Sequence, residues 1–471
     1  MLPMRPKTIC LILDNPGRDL LGMALLSSML ASHGLDVVVV PMYDQQQYVV
    51  KVQPDMVLVN YVRQANRAAI KRYKRLGIRV GVLDTEGGVL RSEYRELLDV
   101  VQNSGAKQFI DDYFLWGTRQ YAAFQRDLNA PGTRLYLTGC PRFDFYAPQW
   151  SHLIPDPEDR PHEYVLLITS FPLNNPRFAT PEQEIANMME ASGIDRASAE
   201  QMRVSADRVL RETLSLYRHT CERYPKTTFV LRPHPFENDA IYAQEFAGVK
   251  NLKLHRTGNV HSWLKHATAV VQLNSSVAFE ASLLGKPVVS LEMFQCPELQ
   301  AEVATACSLN ARSEAGYWEL LDYLIERKPA PGVEQEAARV TKEVERAVVE
   351  WIYKNDGNSS ARVAEQLEKI LLEIPPLQGS LRWRLAYTME RAWVSVYYVL
   401  KCLLKYLPSR EARAKRQMKS FGATDFMAVF GKLGRHDFVA RDVPLVSGYL
   451  PLYRSNAVVV RPAPGTDVSS T

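Results

Sequence analysis

The sequence predicts an α/β fold in which two doubly wound units each carry a parallel sheet covered by helices. Short uninterrupted runs of Val, Ile and Leu alternate with stretches of helical periodicity, which is typical of strands buried on both faces. The alternation restarts after a Pro- and Asp-rich stretch, and 471 residues exceed one core of roughly 150 residues. With 46% hydrophobic and 23% charged residues, the composition excludes a chain that is disordered throughout.

The first unit is predicted to span residues 1–147. A helix follows its first strand as far as Ala31, and Arg67–Leu76 is predicted as a basic helix that ends at Gly77. The predicted strands are Thr8–Leu13, Val37–Val40, Met56–Val59, Arg79–Leu83, Phe109–Trp116 and Arg134–Leu137.

Residues 148–163 are predicted as a linker, because Pro and Asp interrupt the periodicity there. The second unit is predicted over residues 164–374, and we expect the two units to face each other across a cleft. Its predicted strands are Tyr164–Thr169, Thr227–Leu231, Asn251–Leu254, Ala269–Leu273 and Pro287–Leu291, and its predicted helices are Ala197–Tyr224, Val260–His266 and Val277–Leu284. Ligands of such sheets bind beyond the carboxyl ends of the strands, so the loops there are the candidate sites.

The net charge of +5 is unevenly distributed. Residues 381–471 hold 15 Lys and Arg against 6 Asp and Glu, a net +9, whereas the preceding 380 residues hold 42 against 46, a net −4. Residues 381–407 mix Trp, Tyr and Leu with Arg and Lys, the composition of an interfacial helix. We therefore predict that residues 375–471 form a basic, helical, amphipathic tail and that residues 381–419 bind an anionic inner-membrane surface. The alternative is a helix packed on the body of the protein.

The sequence also predicts a cytoplasmic location, peripheral on the inner face of the cytoplasmic membrane. The apolar run of about six residues before Asp14 is too short for a secretory signal. No uncharged tail stretch reaches the roughly 20 residues that cross a bilayer. The six cysteines form no C-x-x-C, which argues against a zinc ribbon and suits a reducing compartment.

One candidate site is Arg232-Pro233-His234-Pro235, which follows a predicted strand. The prolines stiffen the backbone around the histidine. His234 suits donation to a phosphate or leaving-group oxygen, and Arg232 suits neutralisation of phosphate charge. The alternative is a strand end whose histidine makes a loop hydrogen bond.

A second candidate is Asn274-Ser275-Ser276, at a junction between a strand and a helix. The N–H groups of a first helical turn bind anions, and Ser is also a good helix cap. Glu280, one turn later, is placed to reach ribose hydroxyls. The alternatives are a plain cap and a solvated glutamate.

A third candidate, Asp84-Thr85-Glu86-Gly87-Gly88, ends a strand of the first unit. A carboxylate here suits the general base for an incoming hydroxyl, and the glycines permit close approach of a substrate. The loop after the first strand would offer backbone N–H groups to an acceptor. The alternatives are a turn with solvated acids and an ordinary strand-to-helix turn.

The sequence lacks G-x-x-x-x-G-K-[ST], G-x-G-x-x-G, H-E-x-x-H and D-x-D. We therefore expect no metal site and no cofactor. The body has no basic face and no recognised nucleic-acid domain, so nucleic acid is not a predicted partner.

In their order, these features resemble bacterial GT-B glycosyltransferases of surface-carbohydrate biosynthesis, in particular a group similar to Kdo- and sialyl-type transferases that use CMP-sugars. Members have an acidic D/E-D/E-G motif, an H-P motif and a following Ser/Thr pair. Here these correspond to Thr85-Glu86-Gly87, His234-Pro235 and Ser275-Ser276. The segments LILDNPGRDLLGMALLSSMLASHGLDVVVVP and TGCPRFDFY are also typical of the group, and the resemblance covers roughly residues 7–300.

The resemblance implies an inverting, metal-independent transfer of a Kdo-like or other nonulosonic sugar from a CMP-sugar to a lipid-linked or nascent surface glycan, as in lipopolysaccharide or capsule synthesis. Glu86 would deprotonate the acceptor hydroxyl. Because Thr85 stands where the family usually has an acid, Asp84 is also a candidate for the base. His234 would stabilise the departing CMP phosphate, which Ser275 and Ser276 would bind.

The first unit would then be the acceptor domain and the second the nucleotide-sugar donor domain. The candidate donor-binding residues are Arg232, Pro235, Asn274, Ser275, Ser276 and Glu280, and the candidate acceptor-side residues are Asn15, Gly17, Arg18, Gly87 and Gly88. Two other hypotheses remain open. The same scaffold would serve a UDP-sugar 2-epimerase or a CDP-polyol phosphotransferase, and the departure at Thr85 would suit a non-catalytic anchor of polysaccharide assembly.

Overall fold

The computed structural model describes residues 6–85, 95–192, 194–294, 302–375, 385–396, 414, 417–443 and 456–464. Of these, the residues up to 153 and from 350 onward form one compact unit, and residues 154–349 form a second. Each unit contains one sheet flanked by helices. The predicted α/β class with two doubly wound units is thereby confirmed.

The strands are short, and the first eleven lie close to their predicted bounds, whereas the last three were not predicted. In chain order they are β1 (Thr8–Leu13), β2 (Asp36–Pro41), β3 (Met56–Val59), β4 (Arg79–Leu83), β5 (Asp112–Leu115), β6 (Arg134–Leu137), β7 (Val165–Ile168), β8 (Phe229–Arg232), β9 (Leu252–Leu254), β10 (Ala269–Gln272), β11 (Val288–Ser290), β12 (Leu309–Asn310), β13 (Phe438–Val443) and β14 (Ala457–Pro462).

The helices connect these strands and cover the sheets. In chain order they are α1 (Pro16–Ser32), α2 (Gln45–Val52), α3 (Arg67–Arg75), α4 (Arg95–Asn103), α5 (Thr118–Asp127), α6 (Pro148–Ser151), α7 (Pro181–Ser192), α8 (Arg196–Arg223), α9 (Ala240–Glu245), α10 (Val260–His266), α11 (Val277–Leu283), α12 (Glu302–Ala306), α13 (Glu314–Glu326), α14 (Pro331–Ala347), α15 (Ser359–Glu373), α16 (residues 385–396) and α17 (Ala423–Lys432).

The sheet of the first unit has the strand order β13-β14-β2-β1-β3-β4-β5-β6. Its strands are parallel from β2 to β6, whereas β14 runs antiparallel to β2 and β13 antiparallel to β14. The direction of winding reverses between β1 and β3. Such a switch point leaves a crevice beyond the carboxyl ends of the strands, where ligands bind.

The sheet of the second unit is wholly parallel, in the order β12-β11-β10-β7-β8-β9. Counted from β7, this is the order 3-2-1-4-5-6 of Rossmann folds, with its switch point between β7 and β10. Helix α8 packs on the sheet, and its buried Tyr217 hydroxyl donates to Ile168 O at 3.0 Å.

The C-terminal part of the chain differs from the predicted boundaries. Helix α15, predicted within the second unit, belongs to the first unit, because the buried Asp144 carboxylate accepts hydrogen bonds from Ser359 N and Ser360 N, both at 2.7 Å. The region expected as a helical tail also supplies two strands. β14 pairs with β2, with Val459 opposite Val38, and covers an edge whose backbone groups would otherwise be exposed.

Among the described residues, no helix is both long and apolar enough to cross a membrane.

Asp144→Ala is expected to lower the free energy of unfolding by about 3 kcal/mol, because it leaves two buried N–H groups without an acceptor. Asp195→Ala is the matched control, since Asp195 caps α8 at an exposed site and accepts from Ser198 N at 2.9 Å. Its loss should lower the free energy of unfolding clearly less than the loss of Asp144 does. Urea unfolding followed by circular dichroism measures both, and equal losses would contradict a special role for the buried carboxylate.

Candidate functional site

A small pocket, open to solvent, lies in the first unit at the switch point between β1 and β3. The carboxyl ends of β1, β3 and β4 and the residues that follow β6 meet there, as parallel strands place their carboxyl ends at one edge. The polar residues that line it are Asp14, Asp19, Asp84, Thr85, Cys140 and Arg142.

Two buried carboxylates of this pocket, Asp14 and Asp19, are held by cations. Arg18 places Nε 2.9 Å from Asp19 Oδ1 and Nη2 3.5 Å from Asp14 Oδ2. Arg142 lies 4.0 Å from Asp19. Lys419, more than 400 positions away in the sequence, places Nζ 2.5 Å from Asp14 Oδ1. The C-terminal region therefore contributes a cation to a carboxylate of this pocket.

Asp84, predicted as a candidate base, is 1% exposed at the end of β4. Its neighbour is Tyr113. Burial first and the nearby Asp84 carboxylate second raise the pKa of the Tyr113 phenol well above its ordinary range. The structure thus places this carboxylate in the pocket wall.

Asn60, directly after β3, was not singled out from the sequence. It is 1% exposed, and neither its Oδ1 nor its Nδ2 has a hydrogen-bond partner within the described part of the chain. The main-chain carbonyl oxygen of Asn60 accepts a hydrogen bond from Thr85 N at 2.9 Å. The sequence does contain a signal that could have identified Asn60, namely a polar residue directly after a predicted buried strand.

The other residues predicted on the acceptor side have mixed outcomes. Asn15 caps α1, since its side chain accepts from Gly17 N at 3.1 Å. Gly17 is exposed, and Arg18 makes the ion pairs described above. Glu86, Gly87 and Gly88 lie outside the described residues, so the choice between Asp84 and Glu86 stays open.

In the second unit, His234 lies in the turn after β8. Its Nδ1 accepts from Phe236 N at 3.3 Å, which assigns the proton of the neutral imidazole to Nε2. Arg256 holds the same turn by donating to His234 O and Pro235 O, both at 3.2 Å. The turn therefore fixes both the position and the tautomer of the imidazole.

Arg232 makes a different contact from the predicted one. Its guanidinium donates to Thr257 O at 2.6 Å and Gly258 O at 2.9 Å and lies 5.5 Å from the centre of the Trp263 ring. Burial, followed by the charge of Arg256, lowers its pKa to about 10. In the structure it braces a loop, and phosphate binding by this residue stays a prediction.

Glu237, three residues after His234, was missed from the sequence. It is fully buried and accepts from Thr169 Oγ1 at 2.7 Å, Phe171 N at 2.5 Å and the hydroxyl of Tyr242. Burial raises its pKa. It ties the residues after β7 to the turn after β8, and no local pattern in the sequence marks it.

The predicted serine site follows β10. Ser275 is buried, its N–H donates to Gln272 Oε1 at 2.9 Å, and its Oγ accepts from Val277 N at 3.4 Å. Ser276 is exposed. Asn274 has a left-handed backbone with φ of 53°.

Glu280, predicted to reach a ribose, is instead 4% exposed, with Oε2 3.6 Å from His261 Nδ1. The carboxylate therefore faces a buried histidine within the protein. A ribose contact by Glu280 stays a prediction.

β8 and β10 lie on either side of β7. Because the strands are parallel, His234 and Ser275 emerge at the same edge of the sheet, two strand spacings or about 10 Å apart. The structure therefore brings two of the predicted donor-site motifs together around the switch point. Within the described ranges, no cluster of three His, Cys, Asp or Glu is arranged to hold a metal ion.

No family model matches the chain, and no curated protein matches it in sequence. Among solved structures, the chain is similar to a putative UDP-N-acetylglucosamine 2-epimerase from Listeria monocytogenes, with a TM-score of 0.50, 15% identity, and coverage of 79% of this chain and 98% of that one. It is also similar to MnaA of S. aureus in complex with UDP, with a TM-score of 0.50, 16% identity, and coverage of 78% and 99%. At these identities the likeness concerns the fold, and it agrees with the predicted GT-B class of two Rossmann-like domains.

Glu237→Gln should lower the free energy of unfolding by about 2 kcal/mol, because one of its buried donors would face an NH₂ group instead of an oxygen. Glu212→Gln in α8 is the control, since Glu212 makes only an exposed pair with Arg208 at 3.2 Å and should change stability by less than about 0.5 kcal/mol. Thermal unfolding of both variants tests this. A loss confined to the control would refute the bridging role of Glu237.

Proposed function

We propose that the chain is a GT-B enzyme that acts on a nucleotide-linked sugar in the synthesis of a bacterial surface carbohydrate. The observation that carries the proposal is His234, which presents an Nε2–H at the carboxyl edge of the second sheet, on the same edge as Ser275. A fixed N–H donor and a serine at the same edge of a sheet suit the binding of an anionic phosphate group.

In the finer proposal the donor is a CMP-sugar and the transfer is inverting and independent of metal. The Nε2–H of His234 would donate to the phosphate as the bond to the sugar breaks, and Ser275 and Ser276 would bind the same phosphate. The neutral imidazole donates one hydrogen bond, and the protonated imidazole also contributes a positive charge. Either form stabilises the charge that develops on the leaving CMP.

The acceptor in this proposal is a glycan or glycolipid bound by the pocket of the first unit. Carboxylates such as those that line this pocket accept hydrogen bonds from hydroxyls. Asp84 or Glu86 would remove the proton from the attacking hydroxyl. Such an acceptor would place the enzyme at the cytoplasmic face of the membrane.

A UDP-sugar 2-epimerase is the second candidate function. It is favoured by the names of the two similar structures, one of which holds UDP. At identities of 15% and 16% the likeness supports the fold and not the substrate, so the choice of nucleotide depends on experiment.

Calorimetric titration of the purified chain with CMP, CDP and UDP separates these functions. We expect CMP to bind most tightly. His234→Ala should weaken CMP binding by about tenfold, as expected from loss of one hydrogen bond to a charged group. His219→Ala, at an exposed site in α8, should leave binding unchanged. Tight binding of UDP without a response to CMP would favour the epimerase, and binding of no nucleotide would refute the proposal.

Asp84→Asn and Glu86→Gln identify the base. Replacing the true base should lower kcat about 10³-fold, the typical contribution of general base catalysis, while CMP binding stays unchanged because the donor site is in the other unit. Transfer from CMP-sugars is the measurement. If both variants retain full activity, neither carboxylate is the base.

A further inference from the structure

Helix α16 is anchored to the first unit by one of its faces. Tyr387 and Val394 are buried, and Glu390, between them on the same face, lies 2.8 Å from Arg72 Nε and 3.5 Å from Arg75 Nη2. Residues spaced by three and four positions share one side of a helix. This side of α16 therefore packs towards α3.

The opposite side of α16 presents a row of exposed apolar side chains, which we call the apolar row. Its members are Leu385, Met389, Trp393 and Val396, with exposed fractions of 55%, 72%, 50% and 57%. Their spacing of four, four and three places them on one face. Trp393 is fixed at its edge, because the Arg72 guanidinium lies 4.5 Å from the centre of its ring. Large contiguous apolar patches mark interaction sites.

One edge of the apolar row carries cations. The Arg72 guanidinium lies over the Trp393 ring, and the Arg75 side chain is 67% exposed on α3. Glu390 is the one acidic residue of α16, and it is engaged by α3. Arg391 is exposed on the other side of α16, away from the row. The edge of the row that faces α3 is therefore positively charged.

We propose that the apolar row is the surface by which the chain docks onto an anionic lipid bilayer. Leu385, Met389 and Trp393 would enter the boundary between headgroups and acyl chains, and Arg75 would contact lipid phosphates. Aromatic residues flanked by cations are typical of this interface. A second copy of the chain fits less well, since a symmetric contact would place the same cations opposite each other.

This proposal goes beyond the proposed function and combines the two alternatives that the sequence left open. One helix would serve both, because the Tyr387 side of α16 packs on the protein and its Met389 side faces outward. The ion pairs of Glu390 fix the orientation of the row before any lipid is present.

Cosedimentation of the full chain with lipid vesicles tests the proposal without any nucleotide. We expect binding to vesicles of phosphatidylcholine with phosphatidylglycerol, weaker binding to phosphatidylcholine alone, and a decrease with added salt. Met389→Glu and Leu385→Glu should each lower the partition coefficient by about tenfold or more, as expected from loss of a buried apolar side chain. Arg75→Gln should lower the partition coefficient for the anionic vesicles specifically.

Val204→Glu is the matched control, because Val204 is an equally exposed apolar residue, 56%, on α8 of the second unit. It should leave vesicle binding unchanged. Met389→Gln provides an uncharged second variant, and an unchanged thermal midpoint shows that each variant folds. Absent binding by the wild type, or an equal loss with Val204→Glu, would overturn the proposal. So would a dimer in sedimentation velocity that Met389→Glu dissociates while vesicle binding persists.

Discussion

The hydrogen bonds that Asp144 accepts from α15 hold together a unit built from both ends of the chain. The carboxylate is buried, and burial raises its pKa, so its negative charge depends on the two N–H donors that face it. Through this contact the chain returns to the first unit after completing the second. Everything that follows α15, including the apolar row, Lys419 and β14, is positioned by that return.

Most strands were predictable because burial on both faces leaves a local signature. Met56–Val59 and Arg79–Leu83 have the bounds that the apolar runs predict. β14 has a similar run of valines but was not predicted, since it lies within residues 375–471, whose composition indicated a helical tail. Its partner strand β2 is more than 400 residues away, and pairing over that distance leaves no trace in local periodicity.

The candidate site shows the same division between local and long-range information. The positions of the H-P and Ser-Ser motifs at strand ends followed from the alternation of strands and helices. The contacts of Arg232 and Glu280 did not, because each depends on a neighbour, Thr257 or His261, that tertiary structure selects. Glu237 and Lys419 were missed for the same reason, since an isolated charged residue looks like a solvated one until its burial is known.

The antiparallel pairing of β14 with β2 has a consequence for synthesis of the protein. A ribosome produces β1 to β6 and the whole second unit before it reaches residue 457. Until then the outer edge of β2, Asp36–Pro41, has unpaired backbone groups. The strand also contains four valines that are buried in the finished fold, and an open apolar edge of this kind can pair with another chain and aggregate. The nascent first unit therefore spends most of its translation time with this edge open, and its last-made strand is the one that closes it.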